Sequence, residues 1–393
     1  MTRGVQKLHF AFLFSVYLVA AASETFISPL FPLVRDDLGL AVSDQAAIIA
    51  VLTLSIGVGN LLGGWLGTRH SDRRAIQIAA AALAVGCALS GASQNMGMLT
   101  IGQAVADLGG GLFFGPGLAV VGRMYVKTRG RAIATYGLAY SLGLAAAAFS
   151  SNAGADLWRT VFFVTAAMAA GLAAATPELA EADGPRTTTF IRDAISYWAD
   201  PPYLLALVTG VAAGVTHYVV IGLTPQHFVD RGAELTLAAG LIGAGRLASV
   251  GGKVLSGWLF DRIGGPRTAQ VLLAAIVGFG AIQMLLPRQL GLLAIAPLVC
   301  VTAMLFPVSN AMVVIALPAR ASWGVGVYRS TLMLASAVSA GLVSLALLYL
   351  DTGPVMLIAL IVPLAVGLWI GQSAGARQLA LARDVSTPIT EAQ

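Results

Sequence analysis

Charged side chains are scarce, at 10% of 393 residues, while 58% are hydrophobic. A water-soluble globule carries about a quarter charged residues, so this chain cannot coat itself for water. Cysteine is scarcer still. Cys87 and Cys300 both fall in apolar stretches and offer no disulfide framework. There is no P-loop, no HExxH or CxxC spacing and no nucleophile elbow, and GAGRLAS at 243–249 has no strand before it. These absences leave no catalytic site, metal site or cofactor to argue for, so the chain is not read as an enzyme.

What is present is apolar length. A helix crosses a bilayer with about 20 apolar residues, and mean hydropathy is +0.84. Twelve stretches qualify, near 8–34, 43–67, 75–93, 97–122, 131–152, 158–176, 203–228, 236–260, 268–287, 290–316, 323–349 and 354–374. The expected fold is all-α and integral to the membrane. Arg3 and Lys7 before the first run also suit a cleaved leader, but the repeat below makes that run the partner of an internal span. Most of the 23 Lys and Arg fall on the side that carries both termini, which places those termini in the cytoplasm of an inner (plasma) membrane. That placement accounts for the net charge of +5, so nucleic acid is not an expected partner.

The chain repeats itself. GWLGTRHSDRR at 64–74 and GWLFDRIGGPR at 257–267 are offset by 193, the difference between 257 and 64. Without a gap, the same offset lays Pro32 on Pro225, Gly39 on Gly232, Gly59 on Gly252, Leu62 on Leu255 and Arg69 on Arg262. Two pseudo-symmetric six-helix bundles follow, 1–176 and 203–393, joined by a polar cytoplasmic linker at 177–202 whose FIRDAISYW run suits a short interfacial helix.

Ionisable groups inside spans are costly and therefore informative. Glu24 in span 1 and Asp107 in span 4 each lie about ten residues from the same end of their spans, which at about 1.5 Å per residue gives them one depth. Two buried acids at one depth suit proton coupling, since burial and like charge both favour holding a proton. Each also suits a plain structural hydrogen bond. Glu24 maps by the repeat onto His217 in span 7, which suits proton carriage, substrate binding, pairing with Glu24 or an ordinary bundle contact. The second half supplies Arg246 and Lys253, seven apart on one face of span 8, and Arg329 in span 11. Such cations suit an anionic substrate, and a buried ion pair between Arg246 and Glu24 or Asp107 is the other option. Asn60 and Asn310 are lesser substrate-binding candidates, and Gly and Pro interrupt spans 4 and 10 in GGGLFFGPG and FPVSN.

GWLFDRIGGPR, with RGRA at 129–132 and Trp158–Arg159, resembles the text of the major facilitator superfamily at the corresponding places. The resemblance implies the twelve-helix fold, a monomer, spans 1, 4, 7 and 10 around a central cavity, and alternating access. It implies a conformational latch formed by Gly64, Arg69, Gly257, Asp261, Arg262 and Gly264. The first loop departs from the pattern, with Thr68 where the acid belongs and Ser71 where the second Gly belongs, implying a weaker latch there. Gln103 stands where the family's span 4 usually has Arg, Asp107 where it has Gly, and the antiporter motif is missing from YGLAYSLGLAAAAF. The expected activity is proton-coupled secondary transport of a small organic anion, the alternative being efflux of amphipathic compounds by proton antiport.

Overall fold

The computed structural model describes residues 3–40, 42–150, 157–179, 195–373 and 375–379, and no strand occurs among them. Most of the expected linker, the end of the fifth stretch and the tail beyond 379 lie outside the described residues. The helices are α1 (Arg3–Leu38), α2 (Val42–Arg69), α3 (Asp72–Gly91), α4 (Met96–Met124), α5 (Arg129–Tyr136), α6 (Leu138–Ser150) and α7 (Trp158–Ala174). They continue as α8 (Pro201–Val215), a π-helical turn (Thr216–Ile221), α9 (Gly222–Asp230), α10 (Leu235–Ile263), α11 (Gly265–Leu285), α12 (Arg288–Ala316), α13 (Ala321–Ala346) and α14 (Thr352–Ile370). Span 5 is α5 and α6, broken at Gly137, and span 7 is α8, the π turn and α9, so among the described residues twelve helical stretches stand where twelve were expected. Eight of the described helices pass both a length and an apolarity requirement for crossing a membrane, and α7, at 17 residues, is a shorter apolar helix.

The outward faces are apolar. Leu54, Ile101, Leu247, Leu293 and Leu368 are each more than 60% exposed, a surface that only hydrocarbon tolerates. Inside, a core of large side chains such as Phe26, Leu30, Trp158 and Phe162 is accompanied by glycines that let helix backbones meet directly. A Cβ at Gly63 would stand 2.1 Å from the Leu112 carbonyl oxygen, and one at Gly86 2.2 Å from the Ala106 nitrogen, so α2 and α3 press directly against α4. Where apolar side chains gain nothing by leaving lipid, close backbone approach supplies the dispersion contact that holds helices together.

The chain divides into two compact units: Met1–Met124, Tyr136–Ala194 and Leu317–Ser330 in the first, Tyr125–Thr135, Ile195–Ala316 and Thr331–Gln393 in the second. Packing inside them repeats. In the first unit α4 lies against α1, α2 and α3, and α3 against α7; in the second, α12 lies against α8, α10 and α11, and α11 against α14. The backbone repeats too. Gly39 after α1 and Gly232 after α9 both have positive φ, 65° and 78°, a conformation that costs residues with a Cβ but not glycine. Arg69 stacks over Trp65 at 5.3 Å and Arg262 over Trp258 at 5.0 Å, again 193 residues apart.

Gly63→Leu is expected to lower the thermal midpoint of detergent-purified protein by an overpacking cost of about 1–3 kcal/mol or more. Gly278→Leu, where a Cβ would meet nothing within 4 Å, should leave the midpoint in place.

Candidate functional site

The first unit holds a polar site in an aromatic setting. Glu24, half-buried on α1, accepts a hydrogen bond at Oε1 from the Tyr140 hydroxyl on α6 at 3.1 Å. Tyr17, two turns earlier on α1, stacks on Tyr136 at 4.8 Å and meets Phe114 edge-on at 5.6 Å and Tyr140 at 5.9 Å. Arg329, from the part of α13 that belongs to this unit, lays its guanidinium 4.3 Å over the Phe114 ring. Its electrostatic neighbours are Tyr17, Glu24, Tyr140 and Tyr328, and its Nε has no hydrogen-bond partner among the described residues. Asp107 is buried on α4 among the neighbours of Glu24, with Oδ2 unpartnered. Spacing puts the two acids at one depth and offers Arg246 as the cation of an alternative ion pair, whereas the cation beside Glu24 is Arg329.

Asn60 also lies in this unit, fully buried, with neither side-chain polar atom bonded. Its backbone carbonyl faces Gly326, and Ser330 donates to the Gly57 carbonyl at 2.8 Å, so the first turns of α13 run tightly along α2.

The second unit gathers the other candidates. His217 sits in the π turn of span 7, edge-on to Phe306 at 6.2 Å, and Arg246 and Lys253 are its electrostatic neighbours. Arg246 is exposed and Lys253 half-buried. Asn310, one turn beyond Phe306 on α12, leaves Oδ1 unpartnered. The π turn had no signal in the sequence: THYVVI has no Pro or Gly, and a π turn widens a helix by one residue per turn without a compositional mark. Glu24 belongs to the first unit and His217 to the second.

The two signature loops solve one problem in two ways. In the second unit Asp261 accepts from the Gly130 and Arg131 amides at 2.9 and 3.2 Å and from Arg131 Nε at 2.9 Å, placing a carboxylate on the amino end of α5. Gly257 permits this, since a Cβ there would stand 2.7 Å from the Gly130 oxygen, and Gly264 ends α10 at φ 87°. Arg262 is held over Trp258. In the first unit Thr68, the counterpart of Asp261, accepts from the Trp323 amide, the counterpart of Gly130, at 3.2 Å. A Cβ at Gly64 would stand 2.6 Å from the Ser322 oxygen. The charge missing at Thr68 appears one turn on: Asp72 bonds Arg123 and the Ser322 hydroxyl. Ser71 caps α3 by accepting from the Arg74 amide, so no positive φ is needed where the second loop has Gly264. Sequence reasoning missed Asp72 because it looked for the acid at the aligned position, although the Ser71-Asp72 cap signature was visible.

Asp72 is 4% exposed and Arg123 16%, whereas the Arg131 side chain is half exposed and its partner Asp261 keeps two amide donors. Arg123→Ala should therefore destabilise by about 3–5 kcal/mol, and Arg131→Ala by about 1 kcal/mol or less. Thermal unfolding of the two variants side by side checks the order.

Comparison with known proteins bears on the whole chain. A transporter of Aspergillus aculeatus, the "Acurin A biosynthesis cluster MFS-type transporter", is 28% identical over 214 residues, which span 51% of this chain and 38% of that protein. The chain thus matches well under half the length of that relative. FucP, a Major Facilitator Superfamily transporter solved in the outward conformation, superposes with a TM-score of 0.77 at 12% identity, over 92% of this chain and 98% of that one. The proton:xylose symporter XylE bound to 6-bromo-6-deoxy-D-glucose does so at 0.72 and 14%, over 98% and 100%. Residues 13–340 match the sequence profile of the Major Facilitator Superfamily, and with the twelve-span fold already described the chain belongs to that superfamily of membrane transporters.

Proposed function

We propose that the protein is a proton-coupled symporter of small organic anions working by alternating access in a cytoplasmic (inner) membrane, with both termini in the cytoplasm. The observation that carries this reading is the guanidinium of Arg329, an electrostatic neighbour of Glu24 whose Nε donor has no partner among the described residues. A cation in that position is an anchor for a carboxylate, and the rings of Tyr17, Phe114 and Tyr140 offer an apolar surface for the rest of a small solute. Glu24 and a bound anion compete for the same positive charge. A proton on Glu24 removes its claim and releases Arg329 to the substrate, so anion and proton bind together. Asp107 lies near Glu24, and because two neighbouring carboxylates resist carrying two negative charges, the pair holds a proton on one of them while the other is ionised.

His217, Arg246, Lys253 and Asn310 in the second unit, with Asn60 in the first, are the remaining substrate and proton contacts in this reading. The similarity to FucP, a fucose:proton symporter of E. coli, and to the proton:xylose symporter XylE favours symport over antiport. A second reading, efflux of amphipathic compounds by proton antiport, draws on the same ring cluster and on the biosynthesis-cluster relative. Gly257, Asp261, Arg262 and Gly264, with Gly64 and Arg69, latch one conformation of the transport cycle.

A thermal-shift screen of small carboxylates, followed by flux into proteoliposomes under an imposed pH gradient, tests the proposal. Arg329→Ala should abolish both the shift and the flux. Glu24→Gln should retain exchange of labelled for unlabelled carboxylate while losing accumulation driven by the gradient. Stabilisation by cationic amphiphiles but by no carboxylate, with Arg329→Ala unaffected, supports efflux instead.

A further inference from the structure

The buried polar groups behind Glu24 contain an imbalance of donors and acceptors. Ser90 donates its only hydroxyl proton to the Gly86 carbonyl at 2.9 Å, so its oxygen must accept from Gln103 Nε2, which approaches at 2.9 Å. That fixes which way the Gln103 amide faces and leaves Gln103 Oε1 as a buried acceptor without a donor. Asp107 Oδ2 is a second buried acceptor without a donor. Both residues are almost fully buried, and they sit four apart on α4, hence about 6 Å apart on one face. Two orphaned acceptors side by side in a low-dielectric interior are costly, and one hydrogen placed between them relieves both.

We propose that Asp107 and Gln103 form a proton-holding site in which Asp107 is a neutral carboxylic acid donating its hydrogen bond to Gln103 Oε1, while Glu24 stays ionised. This rests on the proton-coupled reading above and divides its two acids. Glu24 has what an anion needs, a Tyr140 hydroxyl and the nearby Arg329. The titratable groups facing Asp107 are Glu24 from α1 and Cys87 from α3; Cys87 is itself engaged with Ser23 at 3.2 Å. The α2 flank of α4 contributes the close contacts of Gly59 and Gly63. Gln103 is thus a positioning residue, locked by Ser90 so that its carbonyl waits for the Asp107 proton. The departure at position 103 gains a reason: an Arg there would pair with an ionised Asp107, whereas Gln accepts from a protonated one.

Infrared spectroscopy of purified protein at neutral pH, with isotope-labelled aspartate to separate aspartic from glutamic bands, tests this without any substrate. The expected result is a labelled protonated-acid carbonyl band that disappears in Asp107→Asn, shifts to higher frequency in Gln103→Leu and stays in Glu24→Gln. Absence of that band in the wild type overturns the proposal, as does a band indifferent to Gln103→Leu. A band that appears only when sodium is removed assigns the site to a metal cation and overturns it too. If the variants do not fold, the labelled wild-type spectrum still decides for or against a neutral aspartic acid. Failure of proton coupling at Glu24 shows in flux and leaves this band intact, so the two readings fail separately.

Discussion

A charged group inside a bilayer survives only in company. Removing a carboxylate or guanidinium from water costs several kcal/mol unless partners replace the lost hydration, and this chain has few charges with which to supply them. The arrangement of its first unit follows from that constraint. Glu24 has a tyrosine hydroxyl and a nearby arginine, Arg329 has an aromatic face and a nearby carboxylate, and Asp72 has Arg123 and Ser322. Among the described residues, the atoms left without company include Arg329 Nε, Asp107 Oδ2 and Gln103 Oε1, the positions that the proposals above assign to substrate and proton.

The glycines make such pairing possible. Gly64 on α2 and Gly115 on α4 both approach the Ser322 carbonyl, and Gly326 approaches the Asn60 carbonyl, so the opening turns of α13 are drawn against α2 and α4. Arg329 follows one turn after Gly326, and its reach to Phe114 and Glu24 depends on that seam. A side chain at any of these glycines would push back the helix that carries the cation.

Much of this was legible in the sequence because it is written twice. The 193-residue offset set the span count, paired Gly39 with Gly232, and aligned the two loops whose Trp–Arg stacks and helix-end hydrogen bonds the structure repeats. What was not legible departs from that repetition. Asp72 stands four residues past the position where alignment looks for an acid, yet bonding the first turn of α13 requires only that it reach Ser322. The π turn around His217 leaves no compositional trace. Arg329 was one of three intramembrane cations of similar standing, and only the packing of α13 against α2 and α4 distinguishes it from Arg246, which lies in the other unit.

The central claim is that anion and proton are bound together because Glu24 and the substrate compete for Arg329. Calorimetric titration of a carboxylate identified by stabilisation, repeated in buffers of different ionisation enthalpy, counts the protons that accompany binding. The account predicts an uptake of about one proton per anion at a pH where Glu24 is ionised. Binding of equal affinity with no proton exchanged would contradict it.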